Sequence, residues 1–130
     1  MGKTFAIILG SILALLGLLG FISNPLIGAN ALFTANAAHN ILHLILGAIL
    51  LVVAFCFSRN SVLWLKIIGA IVFLLGLVGV LAVPSVDGLL LGFLYTNGAS
   101  NWLHLIAGVV MFVAGLFGKD DSNPVLSAIA

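Results

Sequence analysis

NAAHNILHLILG, residues 36–47, sets four polar side chains in an apolar run, and NGASNWLHLIAG, residues 97–108, repeats the pattern sixty-one positions later. In the first copy Asn36, Asn40, His43, Gly47, Leu50 and Ala54 are spaced 4, 3, 4, 3, 4, which lines them along one face of an α-helix. Asn97, Asn101, His104, Gly108, Met111 and Gly115 keep the same spacing in the second. A polar group facing lipid is left unpaired at a cost of several kcal/mol, so both stripes are expected to face inward.

The surroundings make lipid the relevant solvent. Of the 130 residues 64% are hydrophobic and only 5% charged, and mean hydropathy is +1.42; soluble domains carry roughly 25% charge. Four apolar segments, at about 5–22, 41–57, 62–83 and 102–117, approach the roughly 20 residues that cross a hydrocarbon core. Ser23-Asn24-Pro25, Ser58 to Ser61, Pro84 to Gly88 and Gly118 to Asp121 break them with turn-forming residues. The predicted fold is all-α: a transmembrane four-helix bundle in one membrane domain over 1–130. It comprises two tandem helical hairpins, at about 5–58 and 62–118, and a short tail at 119–130.

The first and third segments support the same division. A shift of 59 lays residues 7–25 on 66–84, with Gly10, Gly17, Gly20 and Pro25 matching Gly69, Gly76, Gly79 and Pro84. The glycines fall at i, i+7 and i+10, where small residues let membrane helices approach closely. Each unit has two spans, so the copies keep one orientation and should be related by a pseudo-twofold along the membrane normal.

Lys3, Arg59, Lys66 and Lys119 all fall on one side of the spans, while the opposite loops hold only Asp87. The positive-inside rule predicts an integral, multi-pass protein with both termini cytoplasmic. Ala29-Asn30-Ala31 resembles a signal-cleavage site. The length of the first span and its repetition in the third argue that it is retained. The outer loops, 26–35 and 88–96, are too apolar to float in water and are expected to lie at the interface or cap the bundle. Tyr95 and Trp102 sit as interfacial anchors would. His43 lies sixteen residues before Arg59 and His104 fifteen before Lys119, roughly 24 and 22 Å of helix, so the two share one level in the outer third of the membrane.

The Asn-x3-Asn-x2-His-x3-Gly pattern in a four-span chain resembles an uncharacterised bacterial family of small integral membrane proteins, a domain of unknown function. The likeness covers about 5–117. It implies four transmembrane helices and no established activity.

Function is then bounded by what the chain contains. A net charge of +1 excludes a nucleic-acid surface. The single cysteine, Cys56, forms no internal disulfide and is expected to be a small buried hydrophobe. No Asp, Glu, Lys or Arg lies mid-span as in ion transporters, and no nucleophile and base pair, phosphate loop or carboxylate dyad is present, so the chain is predicted to be no enzyme. Asn36, Asn40, Asn97 and Asn101 are candidates for a structural polar network with the histidines that fixes helix register. His43 and His104 are also candidate axial ligands for chlorophyll or a b-type heme, with Gly47 and Gly108 one turn on leaving a groove for a macrocycle. The outer side offers no cation for heme propionates. A copper or zinc site from His39, His43 and His104 is a further option, but His39 faces Ser100 in the repeat alignment and reads as a loop or interface residue, so no metal site is assigned. Histidine's titration near neutrality leaves pH sensing open. The leading expectation is a structural or accessory component embedded in the bilayer, packed with itself or with other membrane subunits.

Overall fold

The computed structural model describes residues 1–120; most of the predicted tail at 119–130 lies outside them. Four helices form the body: α1 (Gly2–Leu19), α2 (Ala37–Cys56), α3 (Ser61–Ala82) and α4 (Gly98–Phe117). A single 3₁₀ turn, Ser58–Asn60, joins α2 to α3. All four helices are long and apolar enough to cross a membrane, as the sequence predicts. Two of them start four residues before their apolar runs, because the side-chain oxygens of Asn36 and Asn97 accept the backbone N–H of His39 and Ser100 at 3.0 and 2.9 Å. These are N-caps, which hydropathy does not register. The first span ends at Leu19, short of the expected 22, where the Asn24 amide donates to the carbonyls of Leu19 and Ile22 at 2.8 and 2.6 Å and turns the chain.

α1 packs along α2 and α3 along α4, with sparser packing between the two pairs. The glycines decide how closely each pair closes. A Cβ on Gly47 would lie 2.7 Å from the nitrogen of Ala14 and 2.8 Å from the carbonyl oxygen of Gly10. In the second hairpin a Cβ on Gly69 would stand 2.6 Å from the nitrogen of Phe112, and one on Gly108 would overlap the backbone of Phe73. Backbone therefore touches backbone at matching points of both hairpins, as lipid-embedded helices without a hydrophobic driving force require.

An apolar core joins the hairpins, centred on the fully buried Leu50, Leu65 and Ile68 with Ala6 and Met111. Leu15, Leu18, Leu74, Leu81, Ile106 and Leu116 are exposed on the outside, where lipid would meet them. At one end the Lys119 carbonyl accepts from Gly2 N–H at 2.9 Å, and Asp120 accepts from Val62 N–H at 2.8 Å. Both ends of the described chain and the α2–α3 connection therefore meet there. Cys56, expected to be buried, is exposed at the last turn of α2.

At the opposite end, called outer below, each loop folds into a small ribbon. β1 (Ile27–Gly28) and β2 (Phe33–Thr34) pair in parallel, and β3 (Gly88–Leu90) and β4 (Leu94–Thr96) pair antiparallel. The second ribbon turns at Leu91 and Gly92, both with positive φ (53° and 80°). Each ribbon crosses to the other hairpin: β2 packs on α4 and β4 on α2. Ile27, Ala35, Leu90 and Leu94 are buried beneath, while Leu26, Leu32, Leu89 and Phe93 face outward. The outer loops cap the bundle.

Candidate functional site

The crossed ribbons hold the starts of α2 and α4 in a reciprocal arrangement. Asn36 donates through Nδ2 to the carbonyl of Phe93 at 2.9 Å, and Asn97 donates to that of Leu32 at 3.1 Å. One turn on, Nδ1 of His39 lies 2.9 Å from the carbonyl oxygen of Tyr95, and the Ser100 hydroxyl donates to that of Thr34 at 3.2 Å. Phe93 and Leu32, and Tyr95 and Thr34, are related by the same sixty-one-residue offset as the helices. The duplication is a pseudo-twofold in three dimensions, and every one of these bonds crosses it.

At this axis the histidines meet. The Nε2 atoms of His43 and His104 are 3.4 Å apart, approaching from opposite sides as the symmetry allows. His39 joins them: its Nε2 is 3.3 Å from that of His104, and its ring centroid lies 4.8 Å from that of His43. The ligand nitrogens of all three lie within 4.8 Å of one another. His39 is no loop or interface residue, as expected above, but a buried member of α2's first turn. The signal was in the sequence: His39 and His43 are four apart, hence neighbours on one helical face.

The single stripe predicted for each helix splits into two. Its histidine edge faces the other hairpin, and its asparagine and glycine edge faces the partner helix of its own hairpin. A Cβ on Gly20 would overlap the carboxamide of Asn40, and one on Gly79 that of Asn101. Asn101 donates to the carbonyl of Val83, which caps α3, at 2.7 Å and accepts from the Thr96 hydroxyl at 2.9 Å. Oδ1 of Asn40 is buried with no partner among the described residues, since Ala35 stands where the second copy has Thr96. Asn36, Asn97 and Asn101 thus fix caps and loops, Asn40 packs its carboxamide against Gly20, and none of the four bonds a histidine ring. Nδ1 of His43 and of His104 are buried without partners among the described residues. Gly47 and Gly108 are likewise removed from the rings' free side, because α1 and α3 fill their notches.

The three rings line an apolar cavity of about 130 Å³ between the hairpins, well below the roughly 300 Å³ at which pockets for larger ligands begin. Thr34 borders it, accepting Ser100 on its carbonyl and donating its hydroxyl to Asp87 at 3.0 Å. Thr34, Asp87 and Ser100 were not legible as site residues, because their roles depend on the ribbons crossing.

The chain belongs to the family described as a domain of unknown function, DUF4383, which it matches over residues 3–117. That range agrees with the resemblance drawn from the sequence. No curated protein and no solved structure matches the chain.

Proposed function

We propose that this DUF4383 member is a small, non-enzymatic integral membrane protein, with both termini cytoplasmic, that serves as a structural or accessory component within a homo-oligomer or a larger membrane complex. The carrying observation is that its specific polar contacts knit the chain to itself. The Asn36 to Phe93 and Asn97 to Leu32 bonds close the outer end, and the outward helix faces form an apolar wall of Leu, Ile, Val and Phe. Such a protein acts through what its wall packs against. Crosslinking in native membranes, followed by purification in mild detergent, is expected to recover a defined oligomer or a stable membrane partner; a lone monomer in the membrane would sink this reading.

The tetrapyrrole alternative, with His43 and His104 as axial ligands, loses support from the filled notches at Gly47 and Gly108 and from rings whose Nε2 atoms already face each other at 3.4 Å. The purified protein is expected to lack a Soret or chlorophyll band. Such a band, lost in His43→Ala, would restore that alternative.

A further inference from the structure

We propose that His39, His43 and His104 form a binding site for a single first-row transition-metal cation, copper or zinc, held through their three Nε2 atoms. Neither the family nor the accessory role requires it.

Spacing is the first argument. Zinc–imidazole bonds are about 2.0–2.1 Å long, so two nitrogens on one tetrahedral ion stand roughly 3.3–3.4 Å apart. From His104 Nε2 the separations to His39 and His43 are 3.3 and 3.4 Å, and all three ligand nitrogens lie within 4.8 Å of one another, so a rotation of the His39 or His43 ring brings the third edge to the same length.

Proton bookkeeping is the second. The Tyr95 carbonyl can only accept, so the ring nitrogen 2.9 Å from it, Nδ1 of His39, carries a hydrogen, and Nε2 of the neutral ring presents a lone pair. One hydrogen on His104 Nε2 must then serve both His39 and His43, at separations longer than good hydrogen bonds. If His104 Nε2 is bare, two lone pairs confront each other. A cation at the centre removes the conflict, because it takes lone pairs from all three.

The surrounding shell is the third. A metal-bound histidine typically donates its other ring N–H to a backbone carbonyl or a carboxylate, which fixes its tautomer and direction; Tyr95 does this for His39, while Nδ1 of His43 and of His104 has no acceptor among the described residues. The Asn40 and Asn101 side chains, which could have occupied the other rings, are turned to their own hairpins instead.

Ligand chemistry narrows the ion. Three imidazoles without thiolate or carboxylate suit copper and zinc, and not the oxygen-seeking calcium or magnesium. Three protein ligands also leave a fourth position, and the cavity that the rings line has room for a water or another small neutral molecule there.

The test uses the whole chain in detergent, stripped with a chelator and titrated in parallel with Zn(II), Cu(I), and Co(II) as a coloured reporter of tetrahedral sites. About one equivalent of zinc or copper per chain is expected, with tetrahedral Co(II) bands and a raised thermal midpoint. His39→Ser installs the residue that the second copy carries at position 100 and should weaken binding by more than about 10-fold, since losing even an outer-shell partner costs 10–100-fold. His104→Gln, which keeps the bulk, should do the same, with helical circular dichroism verifying that both variants fold. Uptake of neither zinc nor copper by the folded wild type overturns the site. So does wild-type affinity in folded His39→Ser and His104→Gln.

Discussion

The first hairpin and the second are one design written twice, and they differ most where chemistry gathers. In the second, Asn101 accepts from Thr96 and donates to Val83, and Ser100 makes a plain hydroxyl bond to Thr34. In the first, Ala35 leaves Asn40 Oδ1 without a partner, and His39 adds a ring to the axis. The second copy is the better scaffold. The first contributes two of the three rings. Repetition sets the frame, and the departures from it make the site.

Four experiments bear on that contrast. The largest effect belongs to what the copies share: Gly47→Leu and Gly108→Leu force side chains into α1 and α3. Each is expected to cost about 3 kcal/mol or more, read as a fall in thermal midpoint in detergent. Tolerance of either would mean that the hairpins are not closed on glycine. Next, Asn101→Ala strands the Thr96 hydroxyl and the Val83 carbonyl and should cost about 2 kcal/mol, whereas Asn40→Ala should cost under about 1 kcal/mol, within the range of membrane hydrogen bonds. Equal losses would erase the asymmetry. Third, Ser100→His restores the symmetry at the axis by setting a fourth imidazole on the cavity wall. Zinc affinity in a competition titration should rise about 10-fold, or 1.4 kcal/mol, and unchanged affinity would show that position 100 cannot reach the ion. Smallest, Ala35→Thr copies Thr96 and offers Asn40 Oδ1 its missing donor; a gain of about 0.5 kcal/mol is expected, seen as a small rise in midpoint.

Much of this was legible in the residues. Apolar run lengths, the N-x3-N-x2-H-x3-G spacing and the repeated glycines specify four spans, two hairpins and a pseudo-twofold, because each depends on local helix geometry. Symmetry and depth put His43 and His104 at one level but did not decide whether they meet; the fold brings them together at the axis. Two other things did not follow. Ribbon crossing is a long-range event, so the bonds from Asn36 to Phe93 and from His39 to Tyr95 had no local signal. His39 was discounted because it lacks a counterpart in the second copy, yet its spacing of four from His43 already placed both rings on one face. Asn40 and Gly47 share a helix with them but point, by tens of degrees of rotation about the axis, to another neighbour. A stripe read as one face can serve two.

The exposed turn at Ser58–Asn60 is the one covalent link between the repeats. A break there would leave each hairpin's glycine seam intact and sever no bond at the outer end. The two halves therefore make a natural split pair: expressed as separate polypeptides, they should find each other in the membrane and rebuild the crossed ribbons.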